Sequence, residues 1–456
     1  MKIHKTIPAG RKWSAGFVSL GCAKNLVDSE IMASLAMAGE FRLAPDPEHA
    51  DVVIVNTCAF IRDARRESVE AILEACELRR AGRCRAVVVA GCLPQRYRDS
   101  LMRDMPEIDA IIGLDQLPGL GRVIARLQAG ERGIREVSPE ARAVIEPPQG
   151  RPLFTGAPFA YVKIAEGCDH CCAFCAIPSI RGRYRSRTED SIVRESADLL
   201  SRGIRELNLI AQDVSYYGRD LGRRDALARL LRRLGRLGGR FWVRLLYAHP
   251  DHLTPALLDA IAETDAVCKY LDVPLQHAHA RALRRMARGG DAGSLRGQAR
   301  LWRRRIPGLA LRTTFLVGFP GETEAQFRTL LDFVRDARFD HVGVFAYSPE
   351  ENTPAAGLPD RVPGRVAAAR RARLLSAQRA VIDAIARARR NTEIDALVET
   401  PPYPPGGHAR ARSGREAPEV DGCIRIRQAP ANLKAGDFIR VRIIGQAGCD
   451  LTAVPA

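Results

Sequence analysis

The chain has 456 residues, of which 46% are hydrophobic and 27% are charged, and it carries a net charge of +17. This length is too great for one ordinary hydrophobic core, so we expect about two to four domains. No apolar run reaches the roughly 20 residues that cross a bilayer, and the basic stretch over residues 1–22 lacks the continuous apolar segment of a signal peptide. These features argue against a membrane-spanning protein and predict a cytoplasmic one, in which cysteines more often bind metals or catalyse than form disulfides.

The positive charge is concentrated in the middle of the chain. The net charge is +1 over residues 1–150, +16 over residues 151–390 and 0 over residues 391–456. One interpretation is a surface for an acidic partner such as RNA. The other is a set of solvated, arginine-rich helix faces, and charge alone does not choose between them.

Three short β-branched runs near the N-terminus each end on a cysteine. They are GFVSLGC (16–22), DVVIVNTC (51–58) and AVVVAGC (86–92). Helical patterns lie between them, and this alternation predicts a doubly wound parallel sheet over residues 13–128. Ligands of such sheets bind beyond the carboxyl ends of the strands. We therefore expect Cys22, Cys58 and Cys92 to converge in a metal site that has no local motif.

A proline- and glycine-rich segment over residues 129–156 is predicted to be a linker. The next region, residues 157–388, contains six candidate strands: FAYVKIAEGC, ELNLIAQD, FWVRLLYAHP, KYLDVPLQH, LALRTTFLVGFPGE and HVGVFAYSP. Amphipathic helical patterns separate them, which predicts an incomplete (β/α)6 barrel rather than a closed eightfold one. Each strand ends in cysteine, histidine, glycine or other polar residues. Because the reactive face of a βα barrel is the C-terminal one, we expect the active site there.

The last region, residues 391–456, changes character. Short strand patterns such as TEIDALVE, EVDGCIRIR and DFIRVRIIG are separated by PPYPPGG and KAGD. This pattern predicts a small antiparallel β-barrel. Such barrels dock nucleic acid or protein, although a plain packing domain has the same pattern.

The stretch AEGCDHCCAFCAIP (165–178) places four cysteines within eight positions. Two C-x-x-C pairs would suit zinc, but the adjacent Cys171 and Cys172 point to opposite sides of an extended backbone. The alternative triad has the spacing C-x3-C-x2-C and consists of Cys168, Cys172 and Cys175. Three thiolates suit a 4Fe–4S cluster with one iron open for catalysis, which favours radical chemistry over zinc.

With these motifs the chain resembles the radical S-adenosylmethionine (SAM) superfamily, and within it the methylthiotransferase family. The resemblance covers nearly the whole chain and includes the final barrel, which is called the TRAM domain in that family. Position 171 is variable in the family pattern, so Cys171 does not disturb it. The stretches closest to the branch that acts on ribosomal protein S12 are VSLGCAKNLVDSE, VNTCAFI, VAGCLPQRY, AEGCDHCCAFCAIPSIRGRYRSR, IAQDVSYYG, VPLQHA, TTFLVGFPGETE and VFAYSPEENTPA.

The resemblance implies two 4Fe–4S clusters, one on Cys22, Cys58 and Cys92 and a SAM-coordinating one on Cys168, Cys172 and Cys175. One SAM would donate a methyl group and a second would yield a 5′-deoxyadenosyl radical, so that the β-carbon of an S12 aspartate becomes methylthiolated. Phe174 would pack on the adenosyl group, and Gly318, Gly321 and Glu322 would shape the SAM pocket. The implied partners are S12, free or in the small ribosomal subunit, and a flavodoxin- or ferredoxin-type electron donor, and we expect a monomer.

Two other functions remain open from the residues. The first is the same chemistry on adenosine in tRNA, and the second is a non-enzymatic iron–sulfur or zinc protein that binds RNA. An RNA-binding barrel should be basic, so the zero net charge of residues 391–456 favours a protein substrate. His249 and His277 either touch substrate or are satisfied strand-end histidines. The other cysteines are expected to be small hydrophobes: Cys76, Cys84, Cys268, Cys423 and Cys449.

Overall fold

A computed structural model describes residues 13–39, 41–156 and 158–456 of the chain. The first twelve residues of the basic N-terminal stretch therefore lie outside the described residues. The chain divides into two compact units, one made of residues 1–154 with 176–183 and the other of residues 155–175 with 184–456. Within the described ranges, no helix is both long enough and apolar enough to span a bilayer.

The first unit is a six-stranded parallel sheet with the strand order β2-β1-β3-β4-β5-β6. Its strands are β1 (Ser14–Ser19), β2 (Arg42–Leu43), β3 (Val52–Thr57), β4 (Ala86–Gly91), β5 (Ala110–Ile112) and β6 (Ile134–Glu136). Its helices are α1 (Ala23–Ala38), α2 (Arg62–Arg80), α3 (Cys92–Tyr97), α4 (Leu101–Asp104), α5 (Leu120–Gln128) and α6 (Ile177–Arg181). The predicted parallel sheet is confirmed. Strand β6 lies inside the segment predicted as a linker, so part of that segment forms the outermost strand of the sheet.

Hydrophobic cores lie on both faces of this sheet. Val53 and Val55 of β3 belong to the core that contains Ile72 of α2. Val52 and Ile54 belong to the other core, which contains Leu120 of α5. Side chains alternate between the two faces of a strand, and continuous apolar strands are typical of a sheet covered on both sides. This is the doubly wound arrangement that the strand–helix alternation predicted.

The second unit contains the incomplete barrel, built as two three-stranded parallel sheets with the orders β11-β10-β7 and β12-β13-β14. A parallel bridge between Val243 and Val267 connects β11 with the residues before β12. The strands are β7 (Phe159–Lys163), β8 (Ala165–Glu166), β9 (Arg185–Ser186), β10 (Glu206–Ile210), β11 (Trp242–Leu245), β12 (Tyr270–Asp272), β13 (Ala310–Val317) and β14 (His341–Ala346), of which β8 and β9 form a separate antiparallel pair. The helices are α7 (Glu189–Ser201), α8 (Ala226–Leu234), α9 (Pro255–Glu263), α10 (Ala280–Arg285), α11 (Ala292–Arg305), α12 (Glu324–Ala337) and α13 (Gly364–Arg389).

The C-terminal part of the second unit is a closed five-stranded barrel with the order β15-β16-β17-β19-β18. Its strands are β15 (Glu393–Thr400), β16 (Ala409–Arg412), β17 (Ile424–Ile426), β18 (Phe438–Ala447) and β19 (Asp450–Pro455). All neighbours are antiparallel except β17 and β19, which are parallel. The small barrel is thus confirmed. Val441 and Ile443 are fully buried inside it, whereas the intervening Arg442 is exposed.

Candidate functional site

The first candidate site lies at one edge of the N-terminal sheet, where three neighbouring strands end. Cys22 directly precedes helix α1, Cys58 directly follows β3, and Cys92 is the first residue of α3 after β4. Strands β1, β3 and β4 are adjacent in the sheet, so their carboxyl ends lie side by side. The structure therefore brings the three cysteines to one edge.

Two features hold the loops of this edge together. Gly21 has φ +93°, and a Cβ atom there would lie 2.6 Å from Cys58 Cβ, so only glycine permits this approach. The Asn25 side-chain amide donates hydrogen bonds to the backbone carbonyls of Leu20 at 3.0 Å and Thr57 at 2.8 Å. Asn25 thus ties the end of β1 to the end of β3.

Two of the three thiols of the N-terminal triad are buried. Cys58 and Cys92 are 8% and 5% exposed. Burial raises the pKa of Cys58, and it raises the pKa of Cys92 to about 12. The neighbouring cysteines raise both pKa values further, whereas Arg181 lowers them. Burial raises the pKa of other buried cysteines of the chain as well, so the fit to a cluster depends on the donor set: three thiols at adjacent strand ends supply the sulfur ligands that iron–sulfur clusters use, and binding would release their protons. The donor set therefore fits an iron–sulfur cluster.

The second candidate site is the cysteine segment that follows β8. Cys168 is 8% exposed, and its Sγ atom accepts a hydrogen bond from the His170 backbone N–H at 3.4 Å. The Cys175 backbone N–H donates to the Cys172 carbonyl at 3.1 Å, which closes a tight turn. Burial raises the pKa of Cys168 to about 12, and Cys172 adds to this shift. Cys171 is exposed, unlike the three cysteines of the C-x3-C-x2-C triad.

Arg288 contacts this second triad directly. Its Nη1 atom donates to Cys172 Sγ at 3.7 Å, and its Nη2 atom donates to the Pro274 carbonyl at 2.8 Å. Burial, together with the nearby Arg288, lowers the pKa of His249 to about 2. No local pattern in the sequence marks Arg288, because the arginine is 116 positions from Cys172.

A buried carboxylate anchors the cysteine segment from the other side. Asp213 Oδ2 lies 2.8 Å from His170 Nε2 and 2.7 Å from His252 Nδ1. Burial disfavours the charged carboxylate, but hydrogen bonds from His170, His252 and Ser215 outweigh it and lower the pKa of Asp213. The His170 ring stacks on His249 at a centroid distance of 4.1 Å. Since His170 lies between Cys168 and Cys172 in the chain, Asp213 fixes the segment that carries both.

The loop after β13 contains the residues predicted to shape the SAM pocket. Gly318 and Gly321 have φ of +75° and +77°, and a side chain at either position would collide with a neighbour. The Glu322 carboxylate accepts hydrogen bonds from the Gly318 N–H and from Arg370 Nη1, the latter at 2.9 Å, and its Oε1 atom lies 3.2 Å from His277 Nε2. Glu322 therefore holds the loop in shape through protein contacts.

The remaining predicted residues have simpler surroundings. His277 is fully buried, and its Nδ1 atom accepts from the His279 N–H at 2.9 Å, so it is a satisfied interior histidine. Phe174 is half-buried and packs against the hydrophobic group that contains Met286 and Phe319. Phe319 lies in the loop after β13.

The other cysteines follow the hydrophobic interpretation with one exception. Cys76, Cys84, Cys268 and Cys423 are buried, and burial raises the pKa of all four. Cys449 is exposed, so the interpretation is wrong for this residue. It lies in the turn between β18 and β19, where no apolar core covers it.

Comparisons with known proteins agree with this architecture. Residues 14–113 match the family described as "Uncharacterized protein family UPF0004". Residues 162–334 match the radical SAM superfamily, and residues 392–455 match the TRAM domain. These matches confirm the central and C-terminal folds that the sequence predicted.

Among solved structures, the chain is similar to TsrM from Kitasatospora setae, a radical S-adenosylmethionine methyltransferase with cobalamin and a [4Fe–4S] cluster bound. The TM-score is 0.55 at 16% identity, covering 76% of this chain and 77% of that one. At this identity the likeness establishes a shared fold alone.

Curated relatives match over almost the whole chain. The chain is 46% identical over 437 residues to the ribosomal protein uS12 methylthiotransferase RimO of Desulforudis audaxviator, covering 96% of this chain and 95% of that protein. It is 42% identical over 440 residues to the protein of the same name from Geobacter sulfurreducens, covering 96% of this chain and 98% of that protein. The chain therefore belongs to the family of radical SAM methylthiotransferases that these uS12 enzymes represent.

Proposed function

We propose that this chain methylthiolates the β-carbon of an aspartate in ribosomal protein S12, with one SAM as methyl donor and a second as radical source. The observation that supports this chemistry best is the pair of separate cysteine triads, one at the carboxyl ends of three adjacent parallel strands and the other in the segment after β8. The substrate is inferred from the curated relatives, which are uS12 methylthiotransferases over nearly their whole length.

As a radical SAM methylthiotransferase, the chain uses SAM and 4Fe–4S clusters. We assign Cys168, Cys172 and Cys175 to the SAM-coordinating cluster and Cys22, Cys58 and Cys92 to the second cluster. Together the bound groups supply one-electron cleavage of SAM and a carrier for the transferred sulfur. The protein residues supply thiolate ligands, orientation and shelter from water.

Contacts around the central triad support this division of work. Arg288 places a positive charge and an N–H donor at Cys172. Asp213 holds His170, and with it the cysteine segment. Partners that orient metal ligands in this way typically change metal affinity or activity about 10–100-fold when they are removed. Glu322 shapes the neighbouring loop, consistent with a role of Gly318 and Gly321 in the SAM pocket.

The zero net charge of the barrel, by contrast, is a poor guide to the substrate. Asp421 pairs with Arg312 at 2.5 Å and Glu416 pairs with Arg389 at 3.2 Å, and both acidic side chains are buried. These two acidic side chains are therefore absent from the outer surface, although the net charge of residues 391–456 counts them. The S12 assignment depends on the relatives, not on that sum.

We further propose a monomer that receives electrons from a flavodoxin- or ferredoxin-type donor. The strongly reducing electron that SAM cleavage needs supports a donor of this class. A ribosomal substrate, whether free S12 or the assembled small subunit, supports a cytoplasmic location.

The decisive experiment is mass spectrometry on cells that lack this gene. S12 peptides and digested tRNA from one culture are searched for the mass increment of a methylthio group. Loss of the increment from an S12 aspartate alone is the expected result. Loss from tRNA adenosine alone would retain the chemistry but overturn the substrate.

A further inference from the structure

The segment after the third central cysteine belongs to the N-terminal unit. The chain contributes residues up to Cys175 to the second unit, but residues 176–183 are part of the first. Ala176 and Ile180 are 3% and 1% exposed and belong to a hydrophobic core of the N-terminal sheet. Helix α6 is therefore an integral element of that unit, although its sequence continues the motif of the central triad.

Arg181, the last residue of α6, lies deep in this unit. Its Nη2 atom donates to Asn25 Oδ1 at 2.6 Å and to Asp28 Oδ2 at 3.0 Å. Both partners of the Arg181–Asp28 ion pair are only 2% exposed. A buried ion pair contributes little net stability, because desolvation of the two charges offsets their attraction. Its position next to the cysteines therefore calls for another explanation.

Asn25 connects Arg181 to the N-terminal triad. The Asn25 Oδ1 atom that accepts from Arg181 also lies 3.7 Å from Cys92 Sγ. The side-chain amide of the same residue holds the loops after β1 and β3. A single oxygen atom therefore lies between the Arg181 guanidinium and the Cys92 thiol, which places the arginine charge close to this proposed ligand. Asp28 brings the opposite charge to the same guanidinium.

We infer that Arg181 is a positioning residue of the N-terminal cluster: through Asn25 it orients the loop around Cys92, and its charge, balanced by Asp28, sets the reduction potential of that cluster. This inference rests on the ligand assignment proposed above. A reduced cluster carries one more negative charge than an oxidised one, so a nearby cation favours reduction and a nearby anion opposes it. Arg181 and Asp28 should therefore shift the potential in opposite directions.

The test uses the full-length chain with Cys168, Cys172 and Cys175 all replaced by alanine, so that only the N-terminal cluster remains. Reconstituted protein is assayed for iron and titrated with dithionite, which supplies one electron per cluster, while the reduced cluster is followed by electron paramagnetic resonance. Arg181→Gln is expected to make the midpoint potential more negative. Asp28→Asn is expected to make it more positive, and Arg181→Lys should stay close to the parent.

A control variant, Arg103→Gln, removes an arginine of the same unit that is 72% exposed and should leave the potential unchanged. If Arg181→Gln cannot hold a cluster, the sign of the Asp28→Asn shift decides. Shifts of equal sign in Arg181→Gln and Asp28→Asn, or no shift in either, would overturn the inference while leaving the ligand assignment intact. A parent that binds no iron would overturn the assignment itself, and this inference with it.

Discussion

Arg412 of the C-terminal barrel and Glu206 of central strand β10 form an ion pair in which Nη2 lies 2.6 Å from Oε2 and neither side chain is more than 1% exposed. The other Glu206 oxygen accepts from Arg244 Nε at 2.7 Å. Burial disfavours the charged carboxylate, but Arg412 and Arg244 outweigh it and lower the pKa of Glu206. The carboxylate therefore joins the barrel to the central sheet and neutralises two buried arginines.

Replacing Glu206 by alanine is expected to destabilise the protein strongly. Removing one partner leaves buried charge uncompensated, which typically costs about 3–5 kcal/mol. The measurement is the midpoint of thermal unfolding, with Arg440→Ala as the control, because Arg440 makes an exposed pair with Asp395. An unfolding midpoint of Glu206→Ala equal to that of the parent would show that the network is not needed for stability.

Glu416 makes the barrel sensitive to acid. Burial disfavours its charge, but Arg389 and a hydrogen bond from Ser413 outweigh this and lower its pKa to about 2. A carboxyl whose pKa is lower in the folded state stabilises the fold above its unfolded pKa of about 4.3, and this contribution is lost as the pH falls towards 2. In cluster-free protein, Glu416→Gln should therefore be less stable than the parent at pH 7, and the difference should shrink below about pH 4.5.

The matched control is Glu393→Gln, in the same barrel but 48% exposed. Its difference from the parent in thermal unfolding midpoint should stay small at every pH. A gap between Glu416→Gln and the parent that remained constant from pH 7 to pH 3 would contradict the assigned role of Glu416.

The parts of the fold that could be predicted are those with a local sequence signal. The β-branched runs that end at Cys22, Cys58 and Cys92 show the periodicity and length of buried strands, and all three are strands of the N-terminal sheet. Strand β16, ARAR, was missed because it reads as polar. Its Arg412 is buried against Glu206, a residue 206 positions away that no local pattern reveals.

The same reason explains which site residues were missed. The cysteines stand out by spacing, whereas the arginines that accompany them are recognised only by contact. Arg181 is 156 positions from Asn25, and Arg288 is 116 positions from Cys172. In the sequence Arg181 follows the central cysteine motif, although its contacts lie in the N-terminal unit. Proximity along the chain would therefore have assigned it to the central triad.

Variants of the two triads should distinguish SAM cleavage from formation of the methylthio product. Cys172→Ala is expected to abolish SAM cleavage, because the SAM-coordinating cluster loses a ligand. Cys58→Ala is expected to retain SAM cleavage but to form no methylthio product, because the second cluster is lost. Chromatography of 5′-deoxyadenosine and mass spectrometry of S12 peptides measure the two reactions in one sample.

Cys171→Ser is the control for these variants, since Cys171 is exposed and outside the proposed ligand set. It should bind as much iron and form as much product as the parent. Methylthio product from Cys58→Ala would refute the proposed division between the triads.

Asp213→Asn should lower the occupancy of the central cluster. The substitution weakens the contacts to His170 and His252 and so loosens the segment that carries Cys168 and Cys172. Loss of such an orienting partner typically costs about 10–100-fold in metal affinity or activity. Iron content and SAM cleavage are measured together, because a defect in loading should lower both in proportion.

Ser215→Ala tests whether the effect passes through His170. The Ser215 hydroxyl donates to Asp213 Oδ1, whereas His170 Nε2 bonds to the other oxygen, Oδ2. Removing the hydroxyl therefore leaves the contact between Asp213 and the cysteine segment in place. The iron content of this variant should fall much less than that of Asp213→Asn. Equal losses in the two variants would mean that Asp213 acts on the general packing of the strand ends instead.

Arg288→Gln should make the potential of the central cluster more negative and slow SAM cleavage. The substitution removes a positive charge and the N–H donor that lies 3.7 Å from Cys172 Sγ, and hydrogen bonds to cluster sulfurs are among the features that set reduction potentials. The potential is measured in full-length chain in which Cys22, Cys58 and Cys92 are replaced by alanine.

The matched control for Arg288 is Arg284→Gln, which replaces an exposed arginine of α10 and should behave as the parent. Because Arg288 also bonds the Pro274 carbonyl, a loss of iron with an unchanged potential would assign the residue to loop structure alone, whereas a shifted potential at full iron content would establish its electrostatic role.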